Sequence, residues 1–202
     1  MSHTLAGKLL QIGAVQINVE QPFIWTSGIE SPIYCDNRLT MSYPEIRTQI
    51  AEFFIDKIKA MDEDVDVIAG CATAGIPHAA FVADRLNLPM VYVRSSAKKH
   101  GKQNQIEGTF ARGEKVVLIE DLVSTGQSSL HAAHAIRDAG GEVLQVLSIF
   151  SYGLNRAHQA FQEASYPFTS LFDLNELMTM MKRENQLSSQ DETKLQEWLE
   201  NQ

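Results

Sequence analysis

The stretch Val116–Ser129, VVLIEDLVSTGQSS, decides how the rest of the chain is read. Val116 to Ile119 form a short apolar run that alone fits a buried strand or a piece of helix. Its β-branched residues favour a strand, and the abrupt change at Glu120-Asp121 ends it. Ser124-Thr125-Gly126-Gln127-Ser128 then supplies hydroxyls and a glycine. Leu130 to Ala139 reads as a helix closed by Gly140-Gly141. A strand, a small-residue loop and a helix start make an anion site. Unpaired N–H groups point out of the first helical turn, and the helix dipole favours a phosphate there. Two carboxylates beside such a cradle would repel the phosphate itself. They suit a group that donates hydrogen bonds or carries positive charge, such as the hydroxyls of a ribose, with or without a magnesium ion. The plainer alternative is a strand ending in two solvated acids before an ordinary capped helix. No Gly-Lys-Ser/Thr occurs in the chain, so this is not a Walker loop.

Upstream, Pro44 opens a helix to about Lys59 whose apolar face is Ile46, Ile50, Phe53, Phe54 and Ile58. Val65–Ala69 reads as a strand running into a second glycine-bracketed loop, Gly70–Pro77. A helix from Pro77 to Leu86 and a strand at Met90–Val93 follow. Downstream, Val143–Phe150 continues the series, and Ser170–Phe172 offers one more strand. This alternation predicts an α/β fold, a central mainly parallel sheet flanked by helices. The loops after Ala69, Val93 and Ile119 then share one sheet edge, where ligands of open α/β sheets bind.

The third loop is unusual. Arg94-Ser95-Ser96-Ala97-Lys98-Lys99-His100-Gly101-Lys102 is basic in an acidic protein and holds no apolar periodicity. Long polar loops within domains often serve as active-site lids; the alternative is a solvated surface loop. Before the βαβ rhythm begins, Leu5–Ile12 reads as a helix, and Ala14–Val19, Phe23–Thr26 and Ile33–Cys35 as short extended pieces. They predict a small hood on the main sheet. At the far end, Asp173 is expected to cap a helix carrying Leu174, Leu177, Met178 and Met181. Ser189 with Glu192 forms a capping box for a last helix that buries Leu195, Trp198 and Leu199. His131 and His134 lack an obvious third ligand and read as surface or packing residues.

At 202 residues the chain suits one domain. A net charge of −8 argues against a nucleic-acid footprint, which needs clustered Lys and Arg. Cys35 and Cys71 form no CxxC, so reduced thiols in a cytoplasmic setting are expected. The first residues lack the pattern of a signal peptide, and no apolar stretch is long enough to span a bilayer, so no membrane partner is expected.

The string of apolar run, Glu-Asp, two residues and Ser-Thr-Gly-Gln-Ser closely resembles the phosphoribosyl-diphosphate (PRPP) signature of type I phosphoribosyltransferases. Two more segments resemble that family's orotate branch. FIWTSGIESPIYCDNR, Phe23–Arg38, is similar to the hood that closes over the pyrimidine, and Arg94 with Lys98, His100 and Gly101 has the spacing of the mobile catalytic loop. The resemblance implies a type I phosphoribosyltransferase fold in a single domain, 1–202, with a hood mainly at 14–40 and the catalytic loop at about 95–108. It implies magnesium-dependent transfer of ribose 5-phosphate from PRPP to orotate, giving orotidine 5′-monophosphate and diphosphate in pyrimidine (UMP) synthesis.

By the same resemblance, Lys98, His100 and Asp121 are catalytic. PRPP is held by Arg94, Lys98, His100, Glu120, Asp121, Leu122, Val123, Ser124, Thr125, Gly126, Gln127 and Ser128, with the 5′-phosphate on Thr125–Ser128. Orotate meets Ser124, Ser27 and Tyr34. Mg2+ is held mainly through PRPP, without a protein cage, and the enzyme is a homodimer whose active sites are shared between subunits. Some family members place a base-binding arginine near Arg156. Other branches carry lysines where Thr26 and Ala74 stand, and a basic residue at Ser95. Another base-specific phosphoribosyltransferase and a non-catalytic PRPP-binding regulator remain as alternatives.

Overall fold

A computed structural model describes residues 2–25, 28–96 and 105–202. Helix α1 (Ser2–Gln11) leads into four short strands, β1 (Val15–Ile17), β2 (Phe23–Ile24), β3 (Glu30–Ser31) and β4 (Ile33–Cys35). They pair antiparallel as two separate ribbons, β1 with β4 and β2 with β3, and form the expected hood. A 3-10 turn, Asn37–Ser42, follows; the Asp36 carboxylate caps it by accepting from the Arg38 N–H. That turn was not expected from the sequence.

The main unit begins with α2 (Pro44–Lys59), which has Pro44 at its first position as expected and buries Ile46, Ile50, Phe54 and Ile58. Then come β5 (Val67–Cys71), α3 (Gly75–Leu86), β6 (Met90–Val93), β7 (Ile106–Glu107), β8 (Lys115–Val123), α4 (Gln127–Asp138), β9 (Glu142–Ser151), α5 (Asn155–Glu163), β10 (Phe168–Asp173), α6 (Leu174–Arg183) and α7 (Ser189–Glu200). Among the described residues the main sheet has six strands in the order β10-β9-β8-β5-β6-β7, all parallel except β7. Helices flank it, as expected for an α/β chain.

β5 precedes its two neighbours, β6 on one side and β8 on the other, so the order reverses there. The crevice for a ligand opens at such a switch point, outside the carboxyl ends of the strands. The strands themselves are fully apolar at the centre: Val67, Ile68, Val116–Ile119 and Val146 are essentially solvent-free, as a sheet covered on both faces requires.

Several boundaries differ from the sequence reading. β8 does not stop at Ile119 but runs through both acids to Val123, because β9 pairs with it all the way, Glu120 opposite Ser148 and Val123 opposite Ser151. β5 runs on into Gly70 and Cys71 for the same reason, paired with Tyr92 and Val93 of β6. The cap of α7 is Ser188, which accepts from the Asp191 N–H, rather than the Ser189/Glu192 box. Asp173 caps α6 as expected, in a reciprocal box with Glu176.

Candidate active site

The loops after β5, β6 and β8 do meet at one sheet edge, and two cavities lie there. The first, about 330 Å³, is lined by Cys71 and Ala72 after β5, Val93–Ser95 after β6, and Gln127, Ser128, His131 and Ala132 on α4. The second, about 430 Å³, lies under the hood and is lined by Ile24, Trp25, Tyr34, Cys35, Leu122, Ser124 and Tyr152. Leu122 and Ser124 line the second and Gln127 and Ser128 the first, so the segment on which the sequence reading rests runs from the aromatic cavity to the one at the start of α4.

Glycine lets the elements approach this closely. A Cβ on Gly75, the first residue of α3, would run into the Ile119 carbonyl, so α3 starts against the backbone of β8. Gly126 turns the chain into α4 at φ +80°, a left-handed conformation that favours glycine, and a Cβ there would press on the Phe161 ring at 2.9 Å. Phe161 is itself stacked on Phe168, centroids 4.4 Å apart. The turn into α4 thus rests on a stacked aromatic pair.

The two acids differ in character. Glu120 is 4% exposed. Its carboxylate accepts from the Asp121 N–H at 3.1 Å, from Ser129 Oγ at 3.2 Å and from Ser128 Oγ at 3.3 Å. Burial, and then the neighbouring Asp121 charge, raise its pKa above the usual carboxylate range. Asp121 is raised too, chiefly by burial. Its carbonyl accepts from Asn37 Nδ2 at 2.7 Å, which ties the 3-10 turn of the hood to β8. Burial, followed by the Glu120 charge, pushes the Cys71 thiol far up, which disfavours its thiolate form.

Arg94 lines the first cavity and lies 3.4 Å from Glu107. Its backbone pairs with that of Gln105 at 2.9 Å, and Gln105 Nε2 also donates to the Arg94 carbonyl at 2.7 Å. Arg94 and Gln105, which flank residues 97–104, are therefore tied to each other beside this cavity. Lys98 and His100 lie outside the described residues, as do Thr26 and Ser27.

Of the other expected contacts, Arg94, Gln127 and Ser128 share the first cavity, while Tyr34, Leu122 and Ser124 share the aromatic one. Glu120 and Asp121 lie in β8 just before Leu122 and line neither cavity. Val123 is turned into the core, which leaves its backbone for any ligand contact. Thr125 and Gly126 form the turn into α4. Arg156, in the first turn of α5, lines neither cavity, and its buried Nε and Nη2 have no hydrogen-bond partner. Tyr152 and Asn37 were not singled out from the sequence. Tyr152 follows the carboxyl end of β9, and the edge rule that located the other loops also applies to it.

A model of the phosphoribosyl transferase domain matches residues 42–184. The orotate phosphoribosyltransferase of Staphylococcus saprophyticus is 49% identical over 201 residues, covering 100% of this chain and 99% of that protein. That of Fusobacterium nucleatum is 52% identical over 203 residues, covering 100% and 96%. Among solved structures, orotate phosphoribosyltransferase from Aeropyrum pernix superposes with a TM-score of 0.77 at 27% identity, covering 91% of this chain and 99% of that one. UMP synthase of Leishmania donovani gives a TM-score of 0.83 at 29% identity; the match covers 100% of this chain and 42% of that longer protein.

Proposed function

Because the chain belongs to the phosphoribosyl transferase family, in its orotate phosphoribosyltransferase branch, we propose that it transfers ribose 5-phosphate from PRPP to orotate, releasing diphosphate and forming orotidine 5′-monophosphate. Its class of chemistry is pentosyl transfer, and its place is pyrimidine nucleotide synthesis. The observation that supports the proposal is the pair of cavities along 122–128, one holding Arg94 and the start of α4, the other walled by Trp25, Tyr34 and Tyr152. The phosphate groups of PRPP belong with Arg94 and the start of α4, and a planar base with the aromatic wall.

The reaction breaks the C1′–O bond to diphosphate while a ring nitrogen of orotate bonds to C1′. The sugar gains positive charge and the leaving group negative charge. Asp121 and Glu120 belong beside the ribose: Asp121 carries the charge that favours the oxocarbenium-like sugar, and the buried Glu120, held toward its protonated form, fixes Ser128 and Ser129 at the start of α4. Arg94, Lys98 and His100 belong at the diphosphate. Each such preorganised contact is worth roughly 3 kcal/mol, about a hundredfold in rate. The 5′-phosphate sits on the start of α4, at Thr125–Ser128, where backbone N–H groups and the helix dipole receive it. Ser124, Tyr34 and Ser27 serve the base.

Magnesium fits this chain as a companion of PRPP. PRPP oxygens would hold it, with Asp121 beside them. When bound, the ion neutralises charge on the departing diphosphate.

With Ala74 and Ser95 in place of basic residues, the basic loop carries more of the leaving-group charge, and Lys99 or Lys102 supplements Lys98. The proposal extends to one catalytic domain per chain, a homodimer with shared sites, and a cytoplasmic setting that suits two buried free thiols. Among the described residues no helix is long and apolar enough to cross a membrane.

The deciding assay mixes protein, PRPP and magnesium with orotate, uracil, hypoxanthine and adenine in competition. Orotate alone is expected to be consumed. Consumption of a purine or of uracil instead would place the chain in another branch, and no turnover of any base would leave a PRPP-binding regulator.

A further inference from the structure

Helix α7 contributes nothing to the chemistry above, yet one of its side chains reaches the hood. Trp198 Nε1 donates to the carbonyl of Glu30 at 2.9 Å, across 168 positions of sequence. Its ring meets Trp25 edge-on, centroids 5.9 Å apart and planes at 76°. Trp25 lines the aromatic cavity, packs on Tyr152 at 4.4 Å and donates through its own Nε1 to the Ile33 carbonyl at 3.1 Å. Three elements therefore hold Trp25: the end of β9, the strand β4 and the C-terminal helix.

The ribbon that carries Trp25 has little stability of its own. β2 and β3 pair Phe23 with Ser31 and Ile24 with Glu30, the Trp25 N–H adds one bond to the Ile29 carbonyl at 2.9 Å, and Ile24 is 75% exposed. A two-stranded ribbon this short needs outside packing to hold its place. α7 is well placed to supply it: Leu195 is fully buried, and Lys182 of α6 reaches Glu192 at 2.7 Å.

We infer that Trp198 is a positioning residue for the base: α7 clamps the β2–β3 ribbon so that Trp25 closes the aromatic cavity, and binding of the planar base, rather than of PRPP, depends on this clamp. The inference rests on the orotate reading above.

Steady-state kinetics of the full-length protein test it. Trp198→Ala removes the ring contact and the hydrogen bond, and together these are expected to raise KM for orotate about tenfold. KM for PRPP should stay near the wild-type value. Trp198→Phe keeps a ring but loses the donor, with an expected rise of about threefold. The chain has two tryptophans, both in this contact. Trp198→Phe therefore leaves Trp25 as the single indole, and orotate should quench its fluorescence with a weaker midpoint than in the wild type. Equal shifts in both KM values, no shift in either, or a Trp25 emission indifferent to orotate would overturn the clamp. If Trp198→Ala does not fold, the Trp198→Phe kinetics and fluorescence decide. A wild-type protein that ignores orotate altogether would overturn the functional reading instead.

Discussion

Gly70→Ala separates close packing at the switch point from glycine content in general. Gly70 sits in β5 where α3 crosses it; a Cβ there would lie 2.9 Å from Ile76 Cα and 3.1 Å from Ala79 Cβ. Ordinary carbon contacts are about 3.5–4.0 Å, so the start of α3 must retreat by roughly 0.6–1.1 Å. Overpacking of this kind costs about 2 kcal/mol, which in a chain of this size lowers Tm by about 4–8 °C. The same retreat drags the Ala72–Ala74 loop, whose Ala72 lines the first cavity. A misplacement of about 1 Å can cost on the order of a hundredfold in rate, so kcat/KM for PRPP should fall far more than stability implies. Gly7→Ala is the matched control. It lies inside α1 with nothing within 4 Å of a new Cβ, and should stabilise by about 0.5–1 kcal/mol with activity intact. Thermal melts and PRPP kinetics on both variants make the comparison. A Gly70→Ala protein with wild-type Tm and wild-type PRPP kinetics would refute the packing argument.

His78, 2% exposed on α3 with Nδ1 unpartnered, has its pKa pushed down by burial from 6.5 to about 4. The unfolded chain takes up a proton there first, so stability is full above pH 6.5 and falls as pH drops toward 4, by up to about 3 kcal/mol. Urea midpoints at pH 7 and pH 4.5 should show this loss in the wild type and a smaller one in His78→Leu; equal losses would exclude His78 as the source. Asp173→Ala removes a cap in which Asp173 accepts from the Glu176 N–H at 2.9 Å and Glu176 accepts from the Asp173 N–H at 3.1 Å. It should lower stability by about 1 kcal/mol, read as a Tm drop of about 2–4 °C, with KM for PRPP and orotate unchanged.

The parallel sheet, its helices and the crevice at the carboxyl edge were legible in the alternation of apolar runs and glycine loops. What escaped local reading depends on neighbours distant in sequence. Glu120 and Asp121 look like the end of a strand, yet β9 extends the ladder beneath them to Val123. α5 was missed although Ala157 and Phe161 are buried one turn apart, because its start at Leu154 carries no side-chain cap to announce it. Asn37 reads as a turn residue; its bond to the Asp121 carbonyl joins positions 84 apart. Tyr34 and Ser124 were expected at the base, and both line the aromatic cavity. Tyr152, which completes that wall, had only the edge rule to mark it.

Charge is expected at both ends of the breaking C1′–O bond, acids by the sugar and bases by the diphosphate. The direct test is turnover by loss of orotate absorbance at saturating PRPP and magnesium, for the wild type, Asp121→Asn and Lys98→Ala. Each substitution should lower kcat by about a hundredfold, with PRPP still bound. Near-normal turnover in either variant would contradict the charge arrangement.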